Sequence, residues 1–170
     1  MEKVETCLVD IERKLGKVMK ISEKGPDKMK IKDMVKMVTK GNSIIKTNDK
    51  MMKEYRALTP SETQNQTIVN HMKKILELQE KQMQDAINNK PHFDKIHAAG
   101  MVKKNLKKNE PQGDALSDLL IEKSSPFPSQ KSEAMAMKAR SKKSFNDVMK
   151  VYEGATGGED QVTEAVDDSD

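Results

Sequence analysis

The chain has 170 residues, of which 34% are charged and 35% hydrophobic, with three Phe, two Tyr and no Trp. Good helix formers (Lys, Glu, Met, Ala, Gln, Leu) dominate and aromatic and β-branched residues are sparse, which excludes an all-β sandwich or a parallel-sheet enzyme. The single cysteine, Cys7, excludes an intramolecular disulfide and a cysteine-based zinc cluster, and no apolar run approaches the roughly 18–20 residues that span a membrane.

The first segment, about Lys3 to Glu23, places Val4, Leu8, Ile11, Leu15 and Val18 on one helical face. Gly25-Pro26 ends it, and Asp27 is the expected N-cap of the next helix. That helix is predicted over Lys28 to Arg56, with an inner stripe of Ile31, Met34, Val35, Val38, Ile45, Met52 and Tyr55. Gly41-Asn42 falls mid-stripe, where it either breaks the helix or faces a neighbouring helix or ligand. Thr59-Pro60-Ser61-Glu62 reads as a capping box on Thr59, with Pro60 at the first helical position. The helix it opens carries Ile68, Met72, Ile75, Gln79, Met83 and Ala86 on one face and is expected to end at Asn88-Asn89, before Pro91.

A shorter helix is predicted over Asp94 to Lys108, then a turn at Asn109-Glu110-Pro111-Gln112-Gly113. Asp114 caps another short helix through Leu116, Leu119, Leu120 and Ile121. Ser124-Ser125-Pro126-Phe127-Pro128 is a rigid link. The last helix, about Ser129 to Glu153, sets Ala134, Met137, Ser141, Phe145, Val148 and Tyr152 on one stripe. From Gly154 to Asp170 there are six acidic residues and no basic ones, which leaves a formal charge of +10 on residues 1–153. This composition predicts a solvated tail. The expected fold is an all-α antiparallel bundle of about five to six helices over residues 1–153, with a disordered acidic tail over 154–170.

Catalytic chemistry is hard to place. His92 and His97 are five apart, a poor spacing for two metal ligands on one helical face, and His71 stands alone. Cys7 has no partner triad and reads as a small apolar contact. There is no Gly-rich phosphate motif, and acids flank Gly154–Gly158. The expectation is a protein that is not an enzyme and uses neither cofactor nor metal. Asn65-Gln66-Thr67 forms a glycosylation sequon inside a predicted helix. Thirteen methionines, many near the inner stripes, suit either adaptable core packing or an internal cavity.

The succession Lys90-Pro91-His92-Phe93-Asp94-Lys95-Ile96, Ala98-Ala99-Gly100-Met101-Val102, Leu106 and Gly113-Asp114-Ala115-Leu116-Ser117-Asp118-Leu119-Leu120-Ile121-Glu122-Lys123 resembles the fungal hydrophobic surface-binding protein A family. That family is also called the cell wall galactomannoprotein family. The Leu58-Thr59-Pro60-Ser61-Glu62 turn, the Val4–Val18 helix, and Phe145 and Tyr152 are similar too, so the resemblance covers about residues 4 to 153. It implies an all-helical domain that attaches to hydrophobic surfaces or holds a fatty acyl chain between helices, outside the cell or in the fungal wall. The chain departs from the pattern in three ways: it shows no signal peptide, lacks a Ser/Thr-rich stalk, and is rich in Lys and Met.

Two functional expectations follow. The first is a monomeric, non-enzymatic binder of a hydrophobic surface or fatty acid. Its lining residues are Val38, Ile45, Met72, Ile75, Met83, Leu119 and Phe145, because the stripes of long helices meet near their middles. The second is a basic helical protein that binds nucleic acid or an acidic protein, with Lys103-Lys104 and Lys107-Lys108 as its one local cluster. The scattered lysines and missing stacking aromatics count against it. For location, the resemblance implies extracellular space or cell wall, and the charged start Met1-Glu2-Lys3-Val4-Glu5 implies cytoplasm.

Overall fold

The computed structural model describes residues 1–25 and 28–162, so Asp27, expected as an N-cap, lies outside the described residues. Five α-helices account for nearly all of them: α1 Glu2–Ser22, α2 Ile31–Arg56, α3 Glu62–Lys95, α4 Ala99–Lys123 and α5 Pro128–Val151. A short 3-10 turn, Glu159–Val162, follows. The all-α bundle read from composition and periodicity is the observed class.

Packing closes the helices into a ring. α1 lies against α2 and α3, α5 against α3 and α4, and α4 returns to α2. Neighbouring helix axes stand about 8–10 Å apart, so the centre of a five-membered ring lies about 7–8 Å from every axis. A helix with its side chains reaches only about 5–6 Å. The architecture therefore leaves a central gap roughly 2 Å in radius, close to that of a methylene chain whose non-bonded carbons sit about 3.5–4.0 Å apart.

The core is accordingly divided. One cluster joins α1 to the outer parts of the other helices through Leu8, Ile11, Met51, Tyr55, Ile68, Val69 and Leu120. The other gathers Met29, Met34, Val38, Phe93, Met101, Val148 and Tyr152 at the opposite end. A domain of this size ordinarily has one contiguous core.

Several boundaries differ from expectation, each for a visible reason. α3 is capped by Ser61, not Thr59. The Ser61 hydroxyl accepts from the Gln64 N–H at 3.3 Å, and the Gln64 side chain accepts from the Ser61 N–H at 3.0 Å. Ser-x-x-Gln is as good a capping box as Thr-x-x-Glu, and this register buries Asn65 completely. α3 also runs on through Pro91 to Lys95. Phe93 is buried beyond the proline, and the buried Tyr152 donates its hydroxyl to the Ala86 carbonyl at 2.8 Å in the preceding turn.

The expected turn at Asn109–Gly113 is absent, and the two predicted short helices are one helix, α4. Pro111 and Gly113 cost about 3 and 1 kcal/mol in a helix interior. Against that, Gln112 donates its side-chain amide to the Ile45 carbonyl at 2.8 Å and to Asp49 at 2.7 Å, and Leu116, Leu119 and Leu120 are buried in the next turns. The chain reverses instead at His97, which takes a left-handed φ of 53°.

Of the stretch expected to be a solvated tail, Ala155 is buried and Gly157 and Glu159 lie against the start of α4, while 163–170 lie outside the described residues. Gly157 (φ 101°) accepts from the Met101 N–H at 3.0 Å through its carbonyl, while its own N–H donates to the Glu159 carboxylate at 2.8 Å. A side chain on Gly100 would strike Glu159 and Gly157, so both glycines permit this close approach to the start of α4. The acidic Glu159 also lies near the positive end of that helix.

Candidate functional site

The gap in the ring is an internal cavity of about 210 Å³ lying between the two core clusters. Leu15 and Val18 come from α1, Met34, Met37, Val38, Ile44 and Ile45 from α2, and Met72, Ile75, Leu76, Met83, Ala86 and Phe93 from α3. α4 adds Met101, Val102, Leu106, Leu116 and Leu120, and α5 adds Ala134, Met137 and Phe145. Six of these are methionines, whose unbranched thioether chains conform to irregular apolar contents. Exposed lining residues, Glu110, Gly113 and Asp114 on α4 and Lys142 on α5, mark the mouth.

Of the positions expected to line a site, Val38, Ile45, Met72, Ile75, Met83 and Phe145 surround this cavity. Leu119 does not. It is buried in the first core cluster, and Leu116 and Leu120 face the cavity from the same two turns. Gly41 continues α2 without a break and presents its bare Cα to Asn105 of α4.

A polar seam along α2 and α4 forms part of the wall. Asn48, Asn105, Asn109 and Gln112 all line the cavity. Asn48 donates to the Gln112 oxygen at 3.3 Å, and Asn109 donates to the Asn105 oxygen at 3.1 Å. Three of their atoms, Asn48 Oδ1, Asn105 Nδ2 and Asn109 Oδ1, are buried without a hydrogen-bond partner. The sequence has polar residues interrupting an apolar stripe at these helical spacings, but a turn placed at Asn109–Gly113 hides the pattern.

Other titratable groups serve the scaffold. His71 Nδ1 sits 2.6 Å from Glu12 Oε1, His92 Nε2 sits 2.9 Å from the Met29 carbonyl, and His97 is exposed at the chain reversal. Among the described residues no group of three His, Cys, Asp or Glu is placed to hold a metal ion, and no helix is long and apolar enough to cross a membrane. Asp85, on the cavity wall, accepts from the Ser22 hydroxyl at 3.0 Å. The Lys24 ammonium, 2.7 Å away, and the Lys30 N–H hold the Asp33 carboxyl below the usual carboxylate range. Burial pushes the Tyr55 and Tyr152 hydroxyls above the ordinary phenol value. In the lysine cluster, Lys103 donates to the Glu153 carbonyl, Lys104 to the Glu159 carbonyl and Lys108 to Asn42, so these cations tie α4 to its own neighbours.

No family model matches the sequence, and no curated protein matches it. Solved structures do match the fold. Afmp4p, crystallised in complex with palmitic acid, superposes with a TM-score of 0.79 at 13% identity, covering 88% of this chain and 97% of that one. Ligand binding domain 1 of the Penicillium marneffei MP1 protein, complexed with arachidonic acids, superposes with a TM-score of 0.72 at 18% identity, covering 88% of this chain and 96% of that one. At such identities the likeness is one of fold.

Proposed function

We propose that this protein is a non-enzymatic lipid carrier that encloses an acyl chain in the cavity at the centre of its helical ring. The observation that carries the reading is the division of the core into two clusters by a largely apolar cavity of about 210 Å³. At about 24 cal/mol per Å³ a cavity of that size, if closed and wholly empty, costs at most about 5 kcal/mol, comparable to the whole stability of a small domain. An acyl chain recovers that cost by making the missing contacts. That two structures of the same fold hold palmitic and arachidonic acids supports the reading.

Attachment to a hydrophobic surface, the other property the resemblance implies, fits the exterior less well. Among the described residues the large exposed apolar side chains, Val9, Ile31, Met135 and Val151, are spread singly over three helices, and such isolated residues are ordinary on protein surfaces. We take Val38, Ile45, Met72, Ile75, Met83 and Phe145 as ligand contacts, and the extracellular or cell-wall location implied by the resemblance as the setting.

Native extraction followed by lipid mass spectrometry tests the proposal. The expected result is one acyl lipid per chain, or a lipid-free protein that takes up added fatty acid with a rise in melting temperature. A lipid-free chain indifferent to added fatty acid would sink it.

A further inference from the structure

α4 and α5 are antiparallel neighbours, joined by the link at 124–127 and tied at the far end, where Lys103 donates to the Glu153 carbonyl. Between those ends Lys138 bonds to Asp118 at 2.5 Å, which fixes the register of the two helices. One turn on along α5 and one turn back along α4, that register sets Lys142 opposite Asp114. There both side chains are exposed, and both line the cavity. Gly113, Ser117 and Ser141 line the same stretch, and a methyl group on Gly113 would meet nothing within 4 Å. The mouth is therefore a slit between α4 and α5, edged by small residues.

Its two sides carry opposite charge. α4 supplies Asp114 and, one turn before it, the exposed Glu110, and α5 supplies Lys142. The charge of Asp114 is felt on α5, where the Lys138 ammonium is held above its usual range chiefly by its bond to Asp118 and in part by Asp114. The remaining charged residue of the lining, Asp85, belongs to α3 and accepts from Ser22.

Resting on the acyl-binding reading above, we propose that this slit recognises a zwitterionic head, so that the ligand is a single-chain phospholipid carrying a phosphate and an ammonium. The tail occupies the central gap, which is one methylene chain wide, and the head lies in the slit. Its phosphate meets Lys142 and its ammonium meets Asp114 and Glu110. A purely anionic head gains the lysine but lies against two carboxylates, and a bare amine gains the carboxylates but lies against the lysine. All three side chains are open to solvent, so each attraction is modest, up to about fivefold in affinity per exposed pair, and salt screens it.

The test keeps the tail constant and varies the head. The full-length, delipidated protein, loaded with a fluorescent acyl probe, is titrated with oleoyl lysophosphatidylethanolamine, oleoyl lysophosphatidic acid and oleylamine at about pH 7 and about 10 mM salt, where charges act over about 30 Å. The zwitterion is expected to displace the probe at least about threefold more tightly than either of the others, within the range of one exposed ion pair. That margin should shrink at about 1 M salt. Asp114→Asn and Glu110→Gln should weaken the zwitterion and not lysophosphatidic acid, bringing their ratio towards one. Lys142→Gln should weaken both phosphates and spare oleylamine. All three positions are exposed, so these variants keep the fold. A margin under threefold in the native chain, or a ratio that neither α4 variant moves, would overturn the head recognition and leave acyl binding standing. Failure of all three ligands to displace the probe, with the probe itself unbound, would defeat the acyl-binding reading, and this one with it.

Discussion

Asn65 shows how much one side chain holds together. Its oxygen accepts from the Tyr55 hydroxyl at 2.6 Å, and its amide donates to the Ser124 hydroxyl at 2.9 Å and to the Gln130 side-chain oxygen at 2.7 Å. The residue is 0% exposed, so this network joins α2, the first turn of α3, the α4–α5 link and the first turn of α5 in a dry environment. Both amide hydrogens are engaged, which leaves the sequon of Asn65-Gln66-Thr67 with no free amide N–H in the folded protein. Asn65→Ala strands three buried polar partners, each costing about 1–3 kcal/mol if left wholly unpaired, partly relieved by rearrangement. We expect a loss of about 2–3 kcal/mol in urea unfolding at an unchanged slope. A loss under about 0.5 kcal/mol, the size of an ordinary surface change, would contradict the network's role.

At the scale of the element, α4 is the helix that local sequence describes worst and the cavity needs most. Pro111 and Gly113 within three residues are strong breaker signals, and only contacts from α2 explain why the helix continues. A methyl group on Gly113 would meet nothing within 4 Å, whereas one on Gly100 would strike Glu159 and Gly157. Gly113→Ala should therefore stabilise the protein by about 0.5–1 kcal/mol through helix propensity alone. Gly100→Ala should destabilise it by forcing residues 157–159 off α4. Thermal unfolding of the two variants reads both signs, and a destabilising Gly113→Ala would show that the helix needs flexibility there.

The same contrast marks what the sequence made legible. The stripe of α1 from Val4 to Val18 is buried as its spacing predicts, and the mid-helix positions Val38, Ile45, Met72, Ile75, Met83 and Phe145 do converge. Those elements rest on apolar periodicity, a local signal. The start of α3, the crossing of Pro91 and the continuity of α4 are decided by tertiary partners such as Tyr152 and Gln112, which no local window contains. Asn105 and Asn109 stayed hidden for that reason, since their place on one face exists only if α4 is a single helix.

For the whole molecule the number of helices matters most. Five helices closed into a ring leave room at the centre, and this chain lines that room with methionines and aliphatic residues instead of filling it with bulky side chains. The sparse aromatic content, three Phe and two Tyr, thereby acquires a structural meaning: Tyr55, Phe93 and Tyr152 secure the two core clusters, and only Phe93 and Phe145 reach the cavity. If the cavity is the binding site, filling it must remove binding without harming the fold. The most direct measurement is the affinity of a fluorescent acyl probe for the native chain and for a Val38→Phe/Ile45→Trp variant, which places two large side chains into the gap from α2. Acyl binding inside the ring predicts a folded variant at least as stable as the native chain, because the added groups gain contacts in existing space, with probe affinity reduced by more than about a hundredfold, close to 3 kcal/mol. A folded variant that binds the probe as tightly as the native chain would contradict it.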